Sequence, residues 1–442
     1  MNLPKHIFRA YDVRGIYGQD LTPEIFLLLG AALSEQFSEF CTCSDTRISS
    51  PALRLSLIAG LLGGGAKVVD AGLGPIGLAI YAAKHRRYAV GYVTASHLPP
   101  EWNGLKLYEP GGRPISLEDL DRLRESVERG VSWRAKREAK VVIEESLLNS
   151  YSEYLRSLPR AAGNLRVVLD CGNGAASLVV PNLLRELGYE VITVNCDVDP
   201  LFSARGSEPT AEATSYLGDL VRRFQADVGV AFDGDGDRVI FYDEKGRPLT
   251  PEQAAVVMIK GHKVRRVIAN VECSWLLDRF VKETGGTVER VPVGRIYIIY
   301  KSIEGYGGLG VESSGHYVTY EGANLDDGVA SLLYFLEAVS ALGGPVSSHV
   351  PPTPLARRLK LHVGDEMKFV IVERMKERLS SKYRDTTTID GVRVDLEEGW
   401  FLVRPSNTEP VVRVTIEAGD EASLKRLEEL VREELREAGA PL

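Results

Sequence analysis

The 442-residue sequence has no long apolar run, no cysteine pairing pattern and no basic excess. Its longest greasy stretch, residues 55–69, is glycine-rich and too short to span a bilayer. The opening Met1-Asn2-Leu3-Pro4-Lys5 has no apolar segment of the export type. A cytoplasmic protein without a membrane partner is therefore expected. The five cysteines, Cys41, Cys43, Cys171, Cys196 and Cys273, show no C-x-x-C spacing, so neither a zinc site nor a disulfide framework is indicated. They read as small buried apolar residues. With 53 Lys and Arg against 61 Asp and Glu, the formal net charge of −8 argues against non-specific nucleic-acid binding. An anionic ligand would need a local cluster of arginine, lysine and backbone N–H groups set against that field.

What is present is ordinary globular composition, 44% hydrophobic and 26% charged, in a chain longer than one hydrophobic core usually supports. Strand-like runs at 66–70, 89–94, 166–170, 190–195, 227–233 and 266–271 alternate with amphipathic stretches such as 177–187 and 212–224. This is the pattern of α/β layering. The polar run 131–144, the turn at 243–248 and the Gly/Pro-rich 343–352 read as boundaries. The expected parse is three α/β domains with mixed sheets, residues 1–144, 145–245 and 246–350, and a smaller α+β domain, 351–442, ending in a charged helix over 421–438.

Four loops carry chemistry. The first, Thr94-Ala95-Ser96-His97-Leu98-Pro99-Pro100-Glu101-Trp102-Asn103-Gly104-Leu105-Lys106, follows an apolar strand. A serine exposed there, near a histidine and a lysine, can carry a covalent phosphate; a turn with a self-bonded hydroxyl is the other reading. The second, Asp233-Gly234-Asp235-Gly236-Asp237-Arg238, places carboxylates at every second position between glycines, so their oxygens can fold around one hard divalent cation. An EF-hand would put its last ligand at Glu244, but Arg238 occupies the position that must be glycine and the flanks read as strands. A solvated acidic turn is the remaining alternative. The third, Gly310-Val311-Glu312-Ser313-Ser314-Gly315-His316, offers a carboxylate and a hydroxyl two residues apart that can bracket vicinal sugar hydroxyls. The fourth, Arg404-Pro405-Ser406-Asn407-Thr408-Glu409-Pro410, combines a charged fork, hydroxyls and a tight turn: a phosphate cradle, or a solvated turn between strands. A fifth motif, Gly72-Leu73-Gly74-Pro75-Ile76-Gly77, matches G-x-G-x-x-G, but its proline removes a donor and Tyr92-Val93-Thr94-Ala95 offers no acid for a ribose, against a nicotinamide dehydrogenase.

With these loops in this order, the sequence resembles the α-D-phosphohexomutases, most closely the phosphomannomutase/phosphoglucomutase branch. The resemblance covers essentially the whole chain, from Ile7-Phe8-Arg9-Ala10-Tyr11-Asp12-Val13-Arg14-Gly15 through Asp45-Thr46-Arg47-Ile48-Ser49-Ser50-Pro51 to beyond the fourth loop. It implies four domains around a central cleft, each contributing one loop, the last domain being a mobile lid. It implies reversible phosphoryl transfer between C1 and C6 of mannose or glucose phosphate through phosphoserine, with Mg²⁺ and a hexose 1,6-bisphosphate intermediate, in a monomer or homodimer. Ser96 matches the phosphorylated serine, and Ser96, Asp233, Asp235 and Asp237 the metal ligands. Arg14, His97, Lys106 and His316 match catalytic neighbours, His316 and Lys106 being the candidates for proton transfer. Tyr11, Arg238, Arg295, Glu312, Ser314, Arg404, Ser406, Asn407, Thr408 and Arg413 match substrate contacts.

The departures are Leu98 in T-A-S-H-N-P, Cys43-Ser44-Asp45 for G-R-D, Pro75-Ile76-Gly77 for P-T-P, and Glu272 where dual-specificity bacterial members carry lysine. They bear on sugar specificity and on the helper residues. A phosphoglucosamine mutase would use the same loops; Asn407 and the run Asp390-Gly391-Val392-Arg393-Val394-Asp395 favour mannose or glucose. A non-catalytic sugar-phosphate sensor would keep the Arg404 loop but not Ser96 and the acids.

Overall fold

The alternation of strand-forming and amphipathic runs resolves into four sheets in a computed structural model that describes residues 3–9, 11–133, 138–158, 164–320, 325–406 and 410–441. The first sheet has six strands in the order Val13–Ile16, Trp102–Tyr108, Ala89–Val93, Glu39–Ser44, Lys67–Leu73, Lys140–Ile143. Trp102–Tyr108 runs antiparallel to both its neighbours and the other pairings are parallel, so the sheet is mixed. The second sheet orders Val239–Tyr242, Val228–Phe232, Arg166–Asp170 and Glu190–Val194, the first pair forming an antiparallel hairpin. The third orders Thr287–Val291, Arg266–Asn270, Leu309–Val311, Tyr317–Thr319 and Leu325–Asp326. In the fourth, Leu355–His362, Val411–Ala418, Gly399–Pro405, Val392–Leu396 and Thr386–Thr387 are all antiparallel. Helices Asp365–Lys382 and Glu421–Glu437 pack on this last sheet.

This is the expected class: three α/β units with mixed sheets and a C-terminal α+β unit. Ser96, Asp233 and Glu312 each follow the carboxyl end of a strand with a parallel neighbour, Ala89–Val93, Val228–Phe232 and Leu309–Val311, where open α/β sheets place their ligands. A continuous apolar core runs through the first three sheets, from Cys41 and Tyr92 through Phe232 and Phe241 to Phe335 and Val346. The fourth sheet has a separate core around Ile371, Phe401, Val414 and Leu427. Among the described residues no helix is long and apolar enough to cross a membrane.

One expectation is extended and one corrected. The polar run 131–144 contains a strand, Lys140–Ile143, paired in parallel with Lys67–Leu73 at the edge of the first sheet. Its side chains are exposed, so no alternation of apolar and polar residues marked it. The helical run over 177–187 is broken: a short 3-10 turn, Ala175–Leu178, precedes the helix Val180–Glu186. Val179 has non-helical dihedrals and Pro181 can sit only in a first turn, so the helix restarts there.

Candidate active site

Ser96 takes the left-handed backbone conformation, φ +53°, uncommon for a non-glycine residue, and is 2% exposed. What holds it is Arg47, itself buried, all five of whose side-chain N–H groups are engaged. Nη2 donates to the carbonyls of Ser96 and Leu98, each at 2.6 Å, and Nη1 to those of Pro99 (2.6 Å) and Trp102 (3.1 Å). Nε pairs with Asp45 Oδ2 at 3.0 Å. The Thr94 hydroxyl accepts from Ser96 N (2.8 Å) and lies 2.7 Å from Asp45 Oδ2 and 3.0 Å from Asp235 Oδ2. The serine loop is thus fixed from beneath by one guanidinium.

Facing it is the acidic loop. Ser96 Oγ donates to Asp233 Oδ2 at 2.8 Å and lies 3.3 Å from Asp237 Oδ1. One carboxylate oxygen from each of Asp233, Asp235 and Asp237 falls within 4.8 Å of the others, all three residues being buried. The tight turn needs Gly236 at φ +78°, whose N–H donates to Asp233 Oδ1 at 2.9 Å. A Cβ on Gly174 would come within 2.5 Å of the Gly234 carbonyl, so that glycine lets the neighbouring loop approach. Arg205 supports the turn from the other side, through Asp170 Oδ2 (2.7 Å) and the Phe232 carbonyl (2.5 Å). The glycine-rich segment at 72–77 finds its role here: it leads into helix Ile76–His85, and Ile76 N donates to the Asp235 carbonyl at 2.9 Å.

Two cations close the group. Lys106 Nζ donates to Asp235 Oδ2 (2.8 Å) and Asp237 Oδ2 (2.6 Å), and His316 Nε2 lies 3.2 Å from Asp237 Oδ1. Burial opposes both charges, but the Asp235 and Asp237 carboxylates push Lys106 up to about 12, and Asp237 with Glu312 raises His316 to about 9. In both cases the acids outweigh burial and favour the charged form. Asp233 goes the other way, raised well above the carboxylate range by burial and by Asp237 and Asp235. His97 Nδ1 lies 3.4 Å from Ser96 Oγ; burial, with Arg238 and Arg14, drops its ring to about 2 and keeps it neutral. The trio fits a hard divalent cation: the donors are all oxygen, and buried Asp235 Oδ1 has no hydrogen-bond partner.

The third loop continues this chain outward. Glu312 Oε1 accepts from Gly294 N (3.0 Å), and Oε2 from the Ser314 hydroxyl (2.8 Å), which also lies 2.7 Å from His316 Nδ1. Burial would raise the Glu312 carboxyl, but the His316 hydrogen bond and charge, with Ser314 and Arg238, bring it down to about 2. Ser314 also lines a cleft of about 200 Å³ against the fourth sheet, whose wall holds Glu272, Ser313, Arg358, Lys360, Arg413 and Thr415. Strand register places Arg404, Arg413 and Lys360 side by side across three strands of that sheet. Arg404 Nε donates to Glu272 Oε1 at 2.8 Å.

The remaining sequence candidates are distributed around this centre. Arg14 is paired with Asp12 (2.8 Å) and Arg238 with Glu208 (3.4 Å). Arg295 lies in an internal pair with Asp326 (2.6 Å), 3.3 Å from the Tyr108 hydroxyl. Tyr11 donates to the Val293 carbonyl at 3.1 Å and packs edge-on against Tyr297, bridging the first and third sheets. Ser406 is buried at the end of Gly399–Pro405, its N–H on the Val411 carbonyl (3.0 Å). Asn407 and Thr408 lie outside the described residues. Sequence reasoning passed over the Arg47 clamp and the contributions of Arg358 and Lys360. The alternation Arg358-Leu359-Lys360-Leu361 was the available signal for the latter two, since period two puts both cations on one face.

Comparison with known proteins matches the four-part architecture. Family models for phosphoglucomutase/phosphomannomutase match all four regions: alpha/beta/alpha domains I, II and III over residues 5–132, 148–246 and 251–353, and the C-terminal domain over 359–434. A Methanopyrus kandleri protein named probable phosphoglucosamine mutase is 34% identical over 433 residues, covering 95% of each chain. A Thermococcus kodakarensis phosphoglucomutase/phosphomannomutase is 32% identical over 451 residues, covering 98% of this chain and 99% of its own. The crystal structure of a phosphoglucomutase/phosphomannomutase family protein from Burkholderia thailandensis superposes with a TM-score of 0.89 at 27% identity, covering 100% of both chains. The chain belongs to the phosphoglucomutase/phosphomannomutase family of α-D-phosphohexomutases, isomerases that act on phosphosugars.

Proposed function

We propose that the chain interconverts hexose 1- and 6-phosphates, with Ser96 carrying the phosphoryl group and a hexose 1,6-bisphosphate as intermediate. The observation that carries this reading is the position of Ser96 Oγ, 2.8 Å from Asp233 and 3.3 Å from Asp237, in a backbone conformation fixed by Arg47. Asp233, Asp235 and Asp237 would hold Mg²⁺, which when bound neutralises charge on the transferring phosphoryl group.

In the forward half-reaction the bond from Ser96 Oγ to phosphorus breaks as one forms to the free sugar hydroxyl, whose proton ends on the serine oxygen. Lys106 and His316, held as cations, and Arg238 and Arg14 supply positive charge around the equatorial oxygens. His316 links Asp237 to Ser314 and Glu312 and, as an imidazolium, would act first as an acid, giving a ring proton to the departing serine oxygen and regaining one from the sugar hydroxyl. Glu312 and Ser314 bind sugar hydroxyls, and Arg404 with Arg413 holds the phosphate that is not reacting. The bisphosphate then turns end over end and returns its other phosphate to Ser96.

The sequence's preference for mannose or glucose rested partly on the run from Asp390 to Asp395. That run joins sheets: Asp390 accepts from Val293 N (3.0 Å), and Arg393 donates to the Val271 and Cys273 carbonyls, both at 2.8 Å. It therefore supports no particular sugar. The test is an assay of mannose, glucose and glucosamine 1-phosphates primed with hexose 1,6-bisphosphate, with Mg²⁺ and with chelator. Conversion to 6-phosphate that chelation abolishes and Mg²⁺ restores is expected; conversion of none of the three would contradict the proposal.

A further inference from the structure

We infer that Glu272 makes the site selective for an amino-hexose phosphate, by pairing with the sugar's ammonium group when phosphate takes over Arg404. The inference rests on the mutase reading above and adds the class of sugar. Among the described residues, Glu272 is the acid in the wall of the cleft that holds the cations Arg358, Lys360 and Arg413. It is held firmly in place. Its N–H donates to Asn270 Oδ1 (3.0 Å), and the carbonyls on either side of it, those of Val271 and Cys273, are both bound by Arg393. Its side chain is 22% exposed, and its carboxylate has Arg404 Nε at 2.8 Å.

Glu272 shares the cleft with Ser314 on one side and Arg413 on the other, which the mutase reading assigns to the sugar hydroxyls and to the phosphate that is not reacting. A neutral hexose phosphate that draws Arg404 onto its phosphate leaves the Glu272 carboxylate facing a dianion with its own cation withdrawn. A partly buried charge left in that way is penalised, and like charges at close range repel. An amino-hexose phosphate brings both replacements: its phosphate takes Arg404 and its ammonium takes Glu272. The interdomain pair is exchanged for two substrate pairs of the same charge pattern, so discrimination comes from attraction to one sugar and repulsion of the others.

The test compares glucosamine, N-acetylglucosamine, glucose and mannose 1-phosphates on the wild type and on Glu272→Gln, primed with hexose 1,6-bisphosphate. The amide keeps an oxygen able to accept from Arg404 Nε, so a residue that only orients Arg404 would leave the ranking of sugars unchanged. Expected is a wild-type kcat/KM for glucosamine 1-phosphate about tenfold or more above the neutral sugars, N-acetylglucosamine included. Glu272→Gln should shrink that ratio by a similar factor, chiefly through the KM for the amino sugar. Calorimetric binding of glucosamine 6-phosphate and glucose 6-phosphate to Ser96→Ala and to Ser96→Ala/Glu272→Gln should show the same change of ratio without turnover. A ratio unmoved by the substitution, or a wild type that prefers neutral sugars, overturns the role of Glu272 while leaving the mutase reading intact. Absence of turnover on all four sugars overturns both.

Discussion

The serine loop and the arginine loop are anchored in opposite ways. Ser96 lies where three sheets share one core, its carbonyl and those of Leu98, Pro99 and Trp102 held by a single buried guanidinium, and its hydroxyl meets acids from the second sheet. Arg404 lies on a sheet with its own core, joined to the third sheet by a few polar links: Arg393 to the Val271 and Cys273 carbonyls, Ser274 Oγ to Glu417 (2.8 Å), Val293 N to Asp390, and Arg404 to Glu272. A small apolar contact of Val271, Trp400 and Leu402 lies in the same seam. The difference separates two tasks. Under the proposed mutase reading, chemistry at Ser96 needs reacting atoms fixed to within fractions of an ångström, whereas holding either end of a substrate that turns over would need a surface that can withdraw and return.

The sharpest break of that comparison is Ser96→Ala, which should lower turnover by at least about a thousandfold while leaving substrate binding and the thermal midpoint nearly unchanged. Retention of a tenth of the wild-type rate would remove Ser96 as carrier. Next comes Arg47→Lys, which keeps the charge but has three N–H donors for five acceptors. The loop should relax from its left-handed conformation, and kcat should fall about a hundredfold with KM little changed; a loss confined to KM would mean that the clamp does not position the serine.

On the other side of the comparison, Arg404→Ala removes a charged fork from the remote phosphate. A loss of about 2–3 kcal/mol, or about thirty- to two-hundred-fold in kcat/KM, is expected, shared between kcat and KM. If kcat alone fell, Arg404 would belong with the reacting group and the division of tasks would fail.

The last effect is on stability rather than turnover, and it concerns pH. Glu312 titrates at about 2 in the folded chain, below its ordinary 4.5, so the unfolded chain binds more protons between these values. Its contribution to stability is fully present above pH 4.5 and is lost as pH falls through 2, on the order of 3 kcal/mol in all. Denaturant melts of wild type and Glu312→Gln should differ above pH 4.5 and converge towards pH 2. A difference that persisted undiminished at pH 2 would show that the carboxylate's charge is not what His316 and Ser314 stabilise.

The loops of the candidate site were legible because their residues are local in sequence: three acids within five residues, a serine ten residues before a lysine, Glu312 and His316 four apart. Alternating strand and helix signals likewise gave the fold class. Arg47 was hidden because its acceptors are backbone carbonyls 49 to 55 residues away, and any residue type supplies a carbonyl. Arg393 was hidden in the same way, gripping carbonyls 120 and 122 residues distant. Lys140–Ile143 escaped because an exposed edge strand lacks the alternation that burial on one face imposes. The glycines at 72–77 suggested a nucleotide loop because the motif describes a tight strand-to-helix turn, and the turn is there; the N–H at its helix start meets the Asp235 carbonyl.

The most direct measurement is peptide mass analysis of the chain after incubation with hexose 1,6-bisphosphate, then again after addition of excess hexose 6-phosphate. One phosphoryl group is expected on the peptide containing Ser96, discharged to the sugar in the second step at a rate no slower than turnover. Turnover with that peptide unmodified, or with the phosphate on another residue, would contradict it.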